Sequence, residues 1–204
     1  MITIVNYGLG NVQAIGNIYR KAGIPVTLAE KPEDMVGAER LILPGVGAFD
    51  WAMHRLEESG MRPALEDLVL TKGVPILGIC VGMQMLADSS EEGVLPGLGW
   101  ISGTVRHFEP GAAGEGVRMP HMGWNDIATG RSHPLFAGLE SDARFYFLHS
   151  YYFEPVEHDT VLAWTDYGGR FASSVGRGNV TGVQFHPEKS HQWGVRLLLN
   201  FARG

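Results

Sequence analysis

The chain is expected to be an α/β protein: a single-domain three-layer sandwich with a mostly parallel central sheet and helices on both faces. Three observations carry this expectation. Short apolar runs alternate with helical patterns through the first half, as βα units do. Two of those runs end in glycine-flanked turns, Pro44-Gly45-Val46-Gly47 and Gly78-Ile79-Cys80-Val81-Gly82. The second half changes to short β-like runs separated by Gly- and Pro-rich loops, which adds β hairpins to the sheet.

Ile2 to Asn6 reads as the first strand, and Tyr7-Gly8-Leu9-Gly10-Asn11 as the turn after it. Val12 to Lys21 follows as a helix with Val12, Ile15, Ile18 and Tyr19 on one face and Gly23 past its end. The Gly8-Leu9-Gly10 start resembles a dinucleotide fingerprint, but position 13 is Gln, so nicotinamide cofactor binding is discounted. Pro25 to Ala29 and Arg40 to Leu43 read as strands two and three, and Phe49–Glu58 and Pro63–Leu70 as helical. Ile76 to Ile79 is a buried strand, and Met83 to Asp88 beyond it is built of good helix formers. The later β-like runs are Trp100–Phe108, Arg144–His149, Val161–Thr165, Phe171–Val175 and Val180–Phe185. Gly111 to Gly116 is the best candidate for a mobile loop. His191 to Ala202 closes the chain as a helix with Val195, Leu198, Leu199 and Phe201 apolar. Tyr7, His107 and Trp164 are assigned to packing.

A length of 204 residues fits one domain over 1–204 with a substantial core. A net charge of −6 without a Lys- or Arg-rich stretch makes nucleic acid or an anionic membrane an unexpected partner. Strand residues begin at position 2, so no leader is read, and no apolar run approaches the roughly 20 residues of a membrane span. The expectation is a cytoplasmic protein. One cysteine excludes an internal disulfide and a Cys-based zinc site.

That cysteine, Cys80, stands between a buried strand and a helical segment with a glycine two residues to either side. This is the form of a nucleophile elbow. The glycines remove Cβ atoms that would collide in a sharp turn, a helix N-terminus favours thiolate over thiol, and the Val81 amide points toward a developing oxyanion. A lone Cys in an apolar stretch is otherwise an ordinary buried residue, so a partner base has to decide. Val183-Gln184-Phe185-His186-Pro187-Glu188 supplies one. If Pro187 keeps the segment extended, His186 and Glu188 share a side and the carboxylate can orient the imidazole. Glycines on either side of Val46 let its peptide turn, so that its amide could serve as a second oxyanion donor.

These stretches, with Pro120-His121-Met122-Gly123-Trp124-Asn125, Tyr146-Phe147-Leu148-His149-Ser150-Tyr151 and Gln184 through Ser190, occur in an order that resembles the class I (triad) glutamine amidotransferases, which have a flavodoxin-like fold. Within them the chain resembles the glutaminase subunits of imidazole glycerol phosphate synthase. The resemblance covers nearly the whole chain, and the His-Met-Gly-Trp-Asn stretch is its most specific part. It implies that Cys80 attacks the side-chain amide of L-glutamine, that His186 acts as base and then as acid to ammonia, and that Glu188 orients His186. It implies an oxyanion hole at Val46 and Val81, glutamine contacts at Gly47, Gln84, Ser150 and Tyr151, and a partner surface at Trp124, Tyr146 and Lys189. The partner implied is a separate (βα)₈-barrel cyclase subunit that receives the ammonia and makes imidazole glycerol phosphate and an aminoimidazole carboxamide ribotide for histidine biosynthesis; no metal or other cofactor is implied. Val81 replaces a more usual Leu. Gly99-Trp100-Ile101 and Lys189-Ser190-His191 resemble a sibling group that supplies ammonia for sugar amidination. Two other classes stay open at this point, a stand-alone Cys hydrolase and a regulatory subunit with a vestigial site.

Overall fold

The computed structural model describes residues 1–108 and 118–204; the expected mobile loop at 111–116 lies outside them. The elements run β1 (Ile2–Val5), α1 (Val12–Lys21), β2 (Val26–Ala29), β3 (Arg40–Gly45), α2 (Phe49–Glu58), α3 (Arg62–Glu66), β4 (Ile76–Cys80), α4 (Val81–Gln84), β5 (Ser89–Ser90) and β6 (Gly103–His107). They continue with β7 (His121–Asp126), β8 (Ala128–Thr129), β9 (Arg144–His149), β10 (Tyr151–Pro155), β11 (Val161–Asp166), β12 (Arg170–Arg177), β13 (Val180–Val183) and α5 (His191–Arg203).

The main sheet has the order β2-β1-β3-β4-β13-β12-β10-β6-β5. Its first five strands are parallel, and β1, β4 and β13 are buried along their whole length. Continuous apolar runs are what strands covered on both faces require. The chain moves one way from β1 to β2 and the other way from β3 to β4. Right-handed crossovers therefore put α1 and α2 on opposite faces. On the α1 side α5 packs back, and the Tyr19 hydroxyl donates to the Leu198 carbonyl at 3.0 Å. Antiparallel strands from the second half, including the β12–β13 hairpin, extend the sheet. The α/β expectation is met. A separate two-stranded ribbon of β7 and β9 stands beside it; neither β7 nor β10 is marked as a strand by the pattern reading.

Several boundaries differ from the expectation for identifiable reasons. The helix after Cys80 is one turn, not a helix through Asp88. Past Gln84 the chain tightens into i→i−3 turns, with the Leu86 amide donating to the Met83 carbonyl and Ala87 to Gln84, and the carbonyls of residues 85–87 receive the amides of Leu98, Gly99, Trp100 and Ile101. The same bonds delay β6 to Gly103. On α5 the buried residues are Gly194, Leu197, Leu198 and Phe201, while Val195 faces outward. Gly194 is inside because a Cβ there would lie 1.8 Å from the Pro187 carbonyl oxygen, so α5 rests directly on the turn after His186. β3 runs past Pro44 to Gly45, with the Tyr7 hydroxyl donating to the Pro44 carbonyl at 2.7 Å.

A comparably tight approach is at the elbow. A Cβ on Gly82 would lie 1.9 Å from the Leu43 carbonyl oxygen, and one on Gly78 would lie 2.6 Å from the Gly82 carbonyl oxygen. Both obstacles are backbone and cannot rotate away. Gly82→Ala is expected to cost about 2–4 kcal/mol of stability by overpacking, read as a lowered urea midpoint with unchanged slope.

Candidate active site

Cys80 ends β4 with φ 57° and ψ −113°, a left-handed-side conformation that non-glycine residues seldom hold. Strain of this kind persists where surrounding contacts over-determine the backbone, and Gly78 and Gly82 permit the contacts. In the β3–β4 ladder Gly45 is paired with Cys80. Val46 and Val81, the next residue on each strand, therefore emerge side by side. The Val81 amide opens α4, where no carbonyl lies a turn earlier to receive it. One turn of helix has only a small dipole, so the thiolate depends on side chains rather than on a helix end.

Those side chains come from β13 and the turn beyond it. β13 pairs with β4 in parallel, placing His186 beside Cys80 at one sheet edge. Glu188 reaches His186 through a 3₁₀ turn at Pro187–Lys189 rather than through the extended segment that the sequence suggests. Its Oε1 lies 3.0 Å from His186 Nδ1, with both side chains at most 3 % exposed. Among the described residues the other oxygen of Glu188 has no hydrogen-bond partner. Burial lowers the pKa of His186, but hydrogen bonds and charge from Cys80 and Glu188 outweigh it and raise the group to about 10. The arrangement is an imidazolium held between the Cys80 sulfur and a buried carboxylate.

A cavity of about 300 Å³ opens over Cys80, and its wall includes Val46, Gly47, Val81, Gln84, Ser150, Tyr151, His186 and Lys189. Every sequence-predicted triad, oxyanion and glutamine residue except the interior Glu188 thus lines one cavity. Gln84 Nε2 donates to the Tyr151 carbonyl and to Gln184 Oε1, each at 3.0 Å. The three predicted partner residues also form one group. Lys189 Nζ sits 5.7 Å over the Tyr146 ring, and Trp124 meets Tyr146 edge-on and stacks on His191. The β7–β9 register explains the grouping: alternate residues Met122, Trp124, Tyr146 and Leu148 share the outer face, while Phe145, Phe147, His121 and His149 face inward.

Sequence reasoning misses several participants. Glu92 lines the cavity and its Oε2 accepts the Phe49 amide at 2.8 Å; nothing in its local sequence marks it. Gln184 Nε2 approaches Cys80 Sγ at 3.9 Å. Ser190 accepts the Tyr146 amide and donates to the His186 carbonyl, and the His186 amide donates to the Tyr146 carbonyl, so β9 is bonded directly to the catalytic turn. His149 lines the cavity and touches His121. These last four lie within quoted motifs, but no spacing argument assigns them a task. Of the residues assigned to packing, Tyr7 is buried with a phenol whose pKa is raised by burial and then by the Cys80 charge, and it supports the Pro44 carbonyl. His107 packs edge-on against Tyr151, and Trp164 lies under Arg170. Among the described residues no group of three or more His, Cys, Asp or Glu is arranged to hold a metal ion, and no helix is long and apolar enough to cross a membrane.

Burial lowers His121 to about 4 and His149 to about 3. Both rings are neutral in the fold but protonate near pH 6.5 when unfolded. Their contribution to stability is complete above pH 6.5 and is lost as the pH falls toward 4 and 3. A His121→Asn,His149→Asn protein is expected to show a flatter decline of unfolding free energy between pH 6.5 and 4 than the natural chain. Urea titrations at stepped pH measure the difference.

The comparisons with known proteins agree with this geometry. A family model described as glutamine amidotransferase class-I matches residues 3–203. A Bdellovibrio bacteriovorus protein described as imidazole glycerol phosphate synthase subunit HisH is 59 % identical over 202 residues, covering 99 % of each chain. A Leptospira interrogans protein with the same description is 47 % identical, again covering 99 % of each chain. A crystal structure described as glutamine amidotransferase superposes with a TM-score of 0.74 at 22 % identity, covering 100 % of this chain and 99 % of the other, which establishes the shared fold.

Proposed function

The chain belongs to the class I glutamine amidotransferases, and we propose that it is the glutamine-hydrolysing subunit of an imidazole glycerol phosphate synthase, working in the cytoplasm as one domain over residues 1–204. The observation that carries the chemistry is the Cys80–His186–Glu188 triad at the floor of the cavity, with Val46 and Val81 emerging together beside the nucleophile. Full-length identity to two synthase subunits supports the acceptor pathway, histidine biosynthesis, over sugar amidination.

The Cys80 thiolate attacks the side-chain carbonyl carbon of glutamine. The carbonyl oxygen takes the negative charge and is received by the Val81 amide and, once its peptide is turned inward, by the Val46 amide. The His186 imidazolium gives its proton to the departing nitrogen, releasing ammonia and leaving a thioester. Neutral His186 then takes a proton from water as it attacks the thioester, and the thiolate departs from glutamate. Glu188 holds the ring in one orientation and stabilises its cation throughout. Gly47, Gln84 and the Ser150–Tyr151 backbone hold the substrate. Glu92 supplies the negative charge that the α-ammonium of glutamine requires, next to the same cavity.

The outer face of the β7–β9 ribbon is the surface for the cyclase subunit, a (βα)₈ barrel. Met122 is 63 % exposed, Trp124 40 % and Leu148 37 %, an apolar group at the cavity mouth that a solitary protein has no reason to present. Lys189 lies at both the surface group and the cavity wall, so ammonia leaves beneath the partner rather than into water. Because Tyr146 is bonded through its backbone to the His186 turn, a partner seated on β9 acts directly on the triad's support.

Cys80→Ser is expected to keep the fold and lower glutamate production by more than about 10³-fold, measured with the cyclase present; turnover near that of the natural chain removes Cys80 from the mechanism. Glutaminase activity of the isolated chain is expected to be low and to rise about 10²–10³-fold with partner and acceptor ligand, the value of one oxyanion donor. Equal rates alone, with partner, and with partner plus ligand defeat the switch at Val46. Trp124→Ala is expected to weaken the partner complex by about 30-fold or more, read by calorimetric titration.

A further inference from the structure

We propose that His121 and His149 are positioning residues for glutamine hydrolysis: with Asn125 they form a one-way chain of hydrogen bonds that fixes the Tyr151 carbonyl in the cavity wall, where that carbonyl holds Gln84. The proposal rests on glutamine occupying the cavity over Cys80.

Each bond in the chain has only one possible direction. His149 Nδ1 lies 2.8 Å from the Tyr151 carbonyl oxygen. A carbonyl only accepts, so Nδ1 carries the proton, and Nε2 of the neutral ring is an acceptor. His121 Nδ1 lies 3.0 Å from that Nε2 and must donate to it. His121 Nε2 is then also an acceptor, and it faces Asn125 Nδ2 at 3.2 Å. The far end is fixed independently. Asn125 Nδ2 also donates to the Asp166 carbonyl at 3.0 Å, and Asn125 Oδ1 accepts the Asp126 amide at 2.8 Å. The Asn125 amide therefore cannot be reversed, and both ends of the chain require the same tautomer, Nδ1–H, on both rings. His121 is clamped between Phe147 and Tyr167, with ring centroids at 4.7 and 3.8 Å in near-parallel planes.

The chain is aimed at the reaction. Tyr151 offers its carbonyl to His149 and Gln84 together. Gln84 is in turn bonded to Gln184, whose amide lies 3.9 Å from Cys80 Sγ. Loss of the His149 donor leaves the Tyr151 carbonyl held from one side only, and both glutamines that neighbour the nucleophile move with it. At the other end Asn125 follows Trp124 on β7, so the chain begins at the outer ribbon and ends in the substrate wall. A packing role alone needs no polar atoms at these positions. Phenylalanine fills the ring volume without donating, whereas asparagine retains a donor at the place of Nδ1.

The experiment uses the chain with its cyclase subunit and follows glutamate release against glutamine concentration for His149→Phe, His149→Asn and Cys80→Ser, with thermal melting of each. His149→Phe is expected to lower kcat/KM by about 10- to 100-fold, the cost of a misplacement on the ångström scale, with the larger part in KM. His149→Asn is expected to recover most of that loss, although its melting temperature need not exceed that of the Phe protein. Long-range proton–nitrogen NMR of the natural chain is expected to show Nδ1–H on both His121 and His149, and this measurement stands even if a variant does not fold. Nε2–H on either ring, natural-like kinetics for His149→Phe, or equal impairment of the Phe and Asn proteins overturns the proposal. Turnover retained by Cys80→Ser overturns the cavity reading itself, whereas an inactive Cys80→Ser with natural-like His149→Phe overturns only the relay.

Discussion

The contact of Gly82 with the Leu43 carbonyl supports everything else at the site. It brings the end of β4 against the end of β3 at a distance that no side chain allows. With that approach made, Cys80 is held at φ 57°, and Gly45 stands opposite it in the ladder. Val46 and Val81 then leave the sheet together. Two amides and a thiol are thereby gathered by backbone packing alone. Because the strain at Cys80 is opposed by buried parallel strands on both sides, the positions of Cys80 and the Val81 amide are set before any substrate arrives, and only the Val46 peptide is left to turn.

Electrostatics is added to this frame from one turn. The 3₁₀ segment at Pro187–Lys189 lies on Gly194 of α5 below and is bonded to Tyr146 and Ser190 beside it. His186 caps it, and it carries Glu188 and Lys189, the groups proposed to serve the proton transfers, the imidazolium and the exit of the cavity. A carboxylate as buried as that of Glu188 is costly unless a cation sits against it, and His186 is that cation. The same cost keeps His186 protonated beside Cys80. His121 and His149 are held neutral by burial, so of the three buried histidines near the cavity only His186 carries positive charge.

The β7–β9 ribbon separates two roles by its period of two. Inward residues fill the core and carry the histidine chain; outward residues form the aromatic and cationic group around Trp124. Since both faces belong to the same strands, the outer surface proposed for the partner and the inner face toward the cavity share a backbone. On the proposed reading the coupling between them runs through the hydrogen bonds of Tyr146 with the His186 turn.

The parallel half of the sheet, the elbow and the residues proposed as the triad are legible in the sequence itself. Apolar runs of strand length, glycines two residues to either side of a single Cys, and a His-Pro-Glu after a strand are local patterns, and each has one physical reading once the others are present. What they do not contain is decided by contacts between distant residues. The helix after Cys80 gives way at Gln84 to tighter turns whose carbonyls at residues 85–87 receive the amides of residues 98–101, and Glu188 reaches His186 through a turn that rests on α5. β7 is a strand only because β9 pairs with it, since its own residues, with Gly123 and Asn125 among them, have weak strand preference. Glu92 joins the cavity by a bond to the Phe49 amide, and the tautomers of His121 and His149 exist only when Asn125 and Tyr151 are fixed at the two ends. Sequence specifies which groups are available for chemistry; hydrogen-bond direction and close backbone approach, which depend on residues tens of positions apart, settle how they are aimed.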